Sequence, residues 1–277
     1  MPYKINKKFN IVHDFFTKGY VHIPNINPIS LEELKNLCEL FGKIYEYSKE
    51  RITKSQKLTN TEKKDIEDNT WGGYKDNNYS FIKDKIFVDI SSKGMFGENE
   101  LNWHKDMMLV KPWFPGSLLY AETDSDTPTN FCYTLNTSLK NKVYEHSCFS
   151  TNLGFDKPSK EKEYAKRFRD NPKLAQRVGK FVDNYLDKKY VQPTEYVVNH
   201  PVTDEKCVLT SPATMAKSQE QYELLVNDML ENNDSFTHNW KKFDIVIWDN
   251  YKLMHHRAKV TDKTRKLIRL NFNYDNL

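Results

Sequence analysis

Asn102-Trp103-His104-Lys105-Asp106 is the stretch from which the rest of this chain can be read. In a β-strand, residues two apart point to the same face. His104 and Asp106 can therefore grip one metal ion while Lys105 points away. The pair alone is a weak signal, because His and Asp are common at strand ends as ordinary hydrogen-bonding groups. A third ligand has to come from a distant segment. Trp248-Asp249-Asn250 offers a landmark there, and His255 follows seven residues after its tryptophan. Two imidazoles and one carboxylate make a facial donor set of the kind that holds non-heme iron with positions left open.

The segments around this pattern read as an α+β chain with one β core. Ile86–Ile90, Gly116–Ala121, Val208–Thr210, Asp244–Trp248 and Lys266–Phe272 have the apolar, β-branched character of strands. Ser30 and Glu33 form a capping box for a helix of about a dozen residues, with Leu31, Leu34, Leu37, Cys38 and Phe41 as its stripe and Gly42 as its end. Further helices are expected over 159–168, from Asn171-Pro172 to Tyr185, and from Ser218, where Gln221 completes a second capping box. Strands flanking a helical stretch, with potential ligands at strand ends, suit a double-stranded β-helix (jelly-roll) core. The expected organisation is a single domain over 1–277, with flanking helices and a helical insert at about 155–235. Between the first helix and the H-x-D pair, 48–78 is polar and ends in Trp71-Gly72-Gly73-Tyr74. A long loop in a compact domain is often a lid; an aromatic cluster in the core or on the surface is the alternative.

Composition narrows the function classes. The 42 Lys and Arg against 38 Asp and Glu give a net charge of only +4, and the lysine pairs are scattered, so no nucleic-acid face is expected. No run of about 18 apolar residues exists, so no transmembrane helix is expected. The polar start of the chain lacks an apolar leader. The four cysteines, at 38, 132, 148 and 207, show no C-x-x-C spacing and read as free thiols of a cytoplasmic protein. A homo-oligomer is left open.

Ordered motifs now carry a resemblance. Asn102–Asp106, then Pro115-Gly116-Ser117-Leu118-Leu119-Tyr120-Ala121, His200-Pro201-Val202-Thr203, Trp248-Asp249-Asn250 with His255, and Arg265-x-x-x-Arg269 together resemble the taurine dioxygenase (TauD/TfdA) family. Asp204 stands where the family's H-P-x-T-G segment has glycine, and the family's glycine-rich turn is here Ser125-Asp126-Thr127-Pro128-Thr129. The resemblance implies an oxidoreductase: an Fe(II)- and 2-oxoglutarate-dependent dioxygenase. It would use O2, convert 2-oxoglutarate to succinate and CO2, and hydroxylate a C–H bond of a small polar metabolite. It implies His104, Asp106 and His255 as catalytic iron ligands, and Arg265, with Arg269 beside it, for the distal carboxylate of 2-oxoglutarate. Thr129 would add a hydroxyl contact, with Thr127 as its rival. Arginine suits the arginine role because its planar guanidinium grips a carboxylate bidentately.

Several points stay open. His255 and His256 are adjacent, and neighbours in extended chain face opposite ways, so one of them binds metal; the count from Trp248 favours His255. Related halogenases replace the carboxylate ligand with a small residue, so Asp106 points to hydroxylation. Glu100 could meet an amino or guanidino group of the substrate, but a solvated loop carboxylate is the simpler reading. A redox-silent metal-binding jelly roll acting as a scaffold is the main competitor, and a metal-dependent hydrolase or isomerase a weaker one.

Overall fold

The structure, a computed structural model, describes residues 5–24, 27–45, 86–92, 98, 100–106, 115–140, 143–146, 192–216 and 218–274. The expected lid at Trp71–Tyr74, the helices over 159–168 and 171–185, and Cys148 lie outside these residues.

The chain opens with a helix that its lysine-rich start conceals, α1 (Ile5–Lys18). Phe15 is fully buried, and Ile11, Val12 and Phe16 pack beside it. Gly19 ends the helix in the left-handed conformation (φ 70) and donates its N–H to Phe15 O at 2.7 Å. The Lys252 ammonium donates to the Phe16 carbonyl, also at 2.7 Å. Next come β1 (Tyr20–Ile23) and α2 (Leu31–Cys38). The capping box of α2 is present, with Glu33 N–H donating to Ser30 Oγ at 3.2 Å and Ser30 N–H to Glu33 Oε2 at 3.0 Å. The helix has 8 residues, shorter than expected, because the chain tightens into turns before Gly42.

The strands that follow are β2 (Lys43–Ile44), β3 (Val88–Asp89), β4 (Leu101–His104), β5 (Gly116–Ala121), β6 (Thr129–Tyr133), β7 (Val143–His146), β8 (Gln192–Glu195), β9 (Val197–Asn199) and β10 (Lys206–Val208). Two helices, α3 (Pro212–Met215) and α4 (Gln219–Asn232), precede β11 (Ser235–His238), β12 (Ile245–Asp249), β13 (Leu253–Arg257) and β14 (Leu267–Asn273). Ser218 caps α4, its Oγ accepting from Gln221 N–H at 3.1 Å. Of the stretch expected as a helical insert, 192–208 forms β8–β10, 212–232 carries α3 and α4, and the earlier part is outside the described residues.

Two antiparallel sheets face each other. The larger has the order β1-β12-β5-β14-β2, with β3 also on β14; the smaller is β11-β6-β13-β4. From β4 to β6, and again from β11 to β14, each successive strand switches sheets, the path of a double-stranded β-helix. Alternation sorts the side chains. Leu119, Ala121, Val246, Trp248 and Leu267 meet Phe131 and Leu253 between the sheets. Their sequence neighbours Leu118, Tyr120, Ile245, Ile247, Ile268 and Leu270 turn the other way, onto α1 and α2. Met254 and Cys132, on the outer face of the smaller sheet, pack with Leu225 and Met229 of α4. No helix among the described residues is long and apolar enough to cross a membrane.

Candidate metal centre

The inner face of the smaller sheet holds the metal-ligand candidates in register. His255 on β13 lies directly across from His104 on β4, and across from Phe131 on its other side. The two imidazole rings are 4.2 Å apart between centroids. Asp106 follows β4 by two residues, so the strand ends at His104 and a turn delivers the carboxylate. Its Oδ1 is 3.9 Å from His104 Nε2 and 3.8 Å from His255 Nε2. The ligand atoms of all three residues lie within 4.8 Å of one another. All three are buried, at 9%, 4% and 7% exposure. His256 turns the other way: it accepts from Asn130 Nδ2 at 3.2 Å and donates to Glu100 Oε1 at 2.9 Å. That contact sets Glu100 beside His256, on the face opposite the ligands.

Tautomer and charge favour metal binding. His104 Nδ1 donates to Asn102 O at 2.6 Å, which leaves Nε2 with its lone pair toward the site. Burial lowers the His104 imidazolium below its ordinary range. Burial, and then the neighbouring His104, push the His255 imidazolium down to about 3. Both rings are therefore neutral at pH 7. Burial by itself would raise the Asp106 carboxyl, but Arg269, the two histidines and the Ser117 hydroxyl outweigh it and hold the group well below the usual carboxylate range. The donor set is thus two neutral imidazoles and one carboxylate, which fits Fe(II). His255 Nδ1 is buried with no hydrogen-bond partner; packing holds its ring instead, with Trp248 at 5.0 Å and Phe131 at 6.1 Å between centroids.

The sequence motifs acquire positioning roles around this centre. Ser117 Oγ donates to Asp106 Oδ2 at 2.6 Å and accepts from Asn271 Nδ2 at 2.6 Å and Asn250 Nδ2 at 3.1 Å, which uses its one donor and both lone pairs. Trp248 Nε1 donates to Asn250 Oδ1 at 3.0 Å, orienting that amide. His200 takes the N–H groups of Val202 and Thr203 on Nδ1 and donates from Nε2 to Asp249 at 2.7 Å. Asp204 adopts the left-handed backbone (φ 58) at the position where the resembled pattern has glycine; a short Asp side chain tolerates it. Lys105 points away from the metal face, as its parity requires, yet into the interior. Its ammonium donates to Thr134 Oγ1, Val208 O and Tyr251 O at 2.7, 3.0 and 2.8 Å. Burial pushes its pKa down to about 7.

The arginines separate. Arg269 on β14 has its guanidinium 3.4 Å from Asp106 Oδ1, so it sits against the ligand carboxylate. Arg265 lies two residues before β14. It is 2% exposed, donates to Ile90 O at 3.0 Å, and keeps a buried Nε with no hydrogen-bond partner. Burial, then Arg257, lower its pKa to about 9. Arg257 was not singled out from the sequence. It is buried, two residues after His255 and so on the same face, and sits directly across from Thr129. Alternation along β13 is the signal that would have found it. Thr129 Oγ1 accepts from Trp240 Nε1 at 2.9 Å, leaving its hydroxyl hydrogen to donate elsewhere. Thr127 is also buried, but lies before β6 in a turn, where its N–H donates to Ser125 Oγ at 3.2 Å. Thr129 and Arg257 thus stand across from each other on β6 and β13, and Arg265, close enough to Arg257 for the two charges to interact, keeps an orphaned donor of the kind that complements a carboxylate.

Comparison with known proteins agrees with this layout. Residues 155–271 match the model of the taurine catabolism dioxygenase TauD, TfdA family. That span includes His255, Arg257, Arg265 and Arg269. The crystal structure of AAD-2 in complex with Mn(II) and N-oxalylglycine has 15% identity and a TM-score of 0.62, covering 98% of this chain and 90% of that one. A putative alpha-ketoglutarate-dependent taurine dioxygenase from Burkholderia xenovorans has 14% identity and a TM-score of 0.60, covering 99% and 83%. A putative alpha-ketoglutarate-dependent 2,4-D dioxygenase from the same organism has 14% identity and a TM-score of 0.56, covering 98% and 89%. No curated protein matches the sequence. The chain is thus similar to the TauD, TfdA family over residues 155–271, and it shares its fold along nearly its whole length with these solved structures.

Proposed function

We propose that this protein is an Fe(II)- and 2-oxoglutarate-dependent dioxygenase that hydroxylates a C–H bond of a small polar metabolite. The observation that carries the reading is the buried donor set of His104, Asp106 and His255 in a chain that also buries Arg265 with its Nε unpartnered. A redox-silent scaffold has no use for a buried guanidinium with an unpartnered Nε, because a buried unsatisfied donor costs stability. Iron held by the three ligands would supply the oxidising chemistry, in which O2, 2-oxoglutarate and a C–H bond become succinate, CO2 and an alcohol.

The chain's own residues have the remaining tasks. His104 and His255 offer neutral imidazole nitrogens. Asp106 offers Oδ1, while Ser117 holds Oδ2 away from the metal side. Arg265 and Arg257 would pair with the distal carboxylate of 2-oxoglutarate, and the Thr129 hydroxyl would donate to it. Arg269 neutralises Asp106 and so limits the negative charge at the centre. Because a carboxylate ligand occupies the place that halide needs in related halogenases, Asp106 favours hydroxylation.

The test is succinate release by purified protein supplied with Fe(II), ascorbate and 2-oxoglutarate, screened against a metabolite library. A slow basal release that quickens with one substrate class is expected, and His104→Ala and Asp106→Ala should abolish it. Turnover that survives both substitutions would sink the assignment. Calorimetry of the metal-loaded protein with 2-oxoglutarate separates the scaffold reading, which requires no binding.

A further inference from the structure

A second cluster of metal-binding side chains lies at the open edge of the sandwich, where β1 of the larger sheet and β11 of the smaller face each other. Alternation on β1 sends Val21 and Ile23 toward the helices and Tyr20 and His22 toward the opposite sheet. Tyr20 meets Phe236, with ring centroids 4.7 Å apart, and His22 meets His238 at the same separation. Asp244, just before β12, completes the group. Its Oδ1 is 3.2 Å from His22 Nε2, and its Oδ2 is 3.5 Å from His238 Nε2. One ligand atom from each residue lies within 4.8 Å of the others.

We infer that His22, His238 and Asp244 form a second site for a divalent transition metal of the zinc type, separate from the iron centre, that clasps the edge strands of the two sheets. Two observations support it independently of the cluster. His238 is 6% exposed, and its Nε2 is buried, aimed at the carboxylate, and without a hydrogen-bond partner. Its other ring nitrogen is 3.1 Å from the Tyr20 hydroxyl, the outer partner that a ligating imidazole needs to fix its ring. The spacing also fits. Metal–ligand bonds of about 2.0–2.1 Å in a tetrahedron set ligand atoms roughly 3.3 Å apart, and each imidazole Nε2 stands near that distance from one Asp244 oxygen, 3.2 Å from Oδ1 and 3.5 Å from Oδ2. His22 is the exposed member, with 36% of its side chain accessible, so an ion can enter from solvent and water can complete the coordination. Lys241 N–H donates to Asp244 Oδ2 at 3.0 Å and steadies the carboxylate.

The test uses chelator-treated, untagged full-length protein titrated with Zn(II), with bound metal counted by mass spectrometry after desalting. Wild type should take up two equivalents. Asp106→Ala, which removes the first centre, should retain one, and adding His22→Ala should remove that one as well. Because His22 is exposed, His22→Ala alone tests the site without disturbing the core, and should lower uptake from two equivalents to one. In the Asp106→Ala background, Zn(II) should also raise Tm, and the rise should vanish with His22→Ala. Uptake unaffected by His22→Ala, in wild type and in the Asp106→Ala background alike, overturns the inference. That result does not bear on the iron centre, whose ligands are different residues.

Discussion

At the scale of single residues, the candidate iron centre depends on side chains whose own hydrogen bonds are filled. Ser117 is the clearest case, since its hydroxyl serves Asp106, Asn250 and Asn271 at once. Ser117→Ala removes the bond to the ligand carboxylate and takes an acceptor from two buried amides. The expected result is metal affinity about 10–100-fold weaker, read by Mn(II) or Fe(II) titration, with the fold retained by circular dichroism. Arg265→Lys keeps a charge but loses the planar fork. Because a hydrogen bond to a charged group is worth about 1.5–3 kcal/mol, KM for 2-oxoglutarate should rise about tenfold or more while KM for the organic substrate moves less. Equal changes in both would show that Arg265 does not select the co-substrate. At this scale the sequence offered His104, Asp106, His255, Thr129 and the two arginines as candidates, and the structure brings the first three together. It did not separate Arg269, which meets Asp106, from Arg265, which lies near Arg257, because those partners come from distant segments.

At the scale of elements, strand pairing decides what those residues can do. The β5–β14 ladder brings Ser117 across from Asn271, and the β13–β4 ladder brings His255 across from His104. Close approach in the first ladder requires glycine. A Cβ on Gly116 would stand 2.0 Å from ring carbons of Phe272. Gly116→Ala should therefore cost about 1–3 kcal/mol through overpacking, measured by urea unfolding, and should weaken metal binding by displacing the neighbouring Ser117. An unchanged midpoint would show that Phe272 can move aside. The β12 and β14 strands were legible because the first is an apolar run and the second alternates apolar and polar residues. Helix α1, and strands β6, β11 and β13, were not. The lysines that open α1 mask its apolar stripe, and a strand such as Leu253-Met254-His255-His256-Arg257 reads as polar because its inward face is the functional site.

At the scale of the whole molecule, two sheets and their covering helices enclose three cysteines. Burial pushes the Cys132 thiol up to about 12 and the Cys207 thiol up to about 11, and raises Cys38 as well. Since the thiolate is the reactive form, iodoacetamide at pH 8 should leave these three unmodified in the native protein and label them in urea, as read by peptide mass spectrometry. Native-state labelling would show that the layers open more readily than their packing implies. The sequence by itself determined the chemistry available: which residue types occur, in what order, and on which face of a strand each can stand, because alternation is a local property of extended chain. It also carried the capping box of α2, set by neighbours a few residues away, and an expectation for His255 over His256. Only the tertiary structure decided which distant groups meet. Arg257 lies across from Thr129, Arg269 rests on Asp106, Lys105 is buried among three oxygens, and His22 faces His238 across the two sheets. These contacts follow from sheet order and register, which long-range pairing sets and no local pattern encodes.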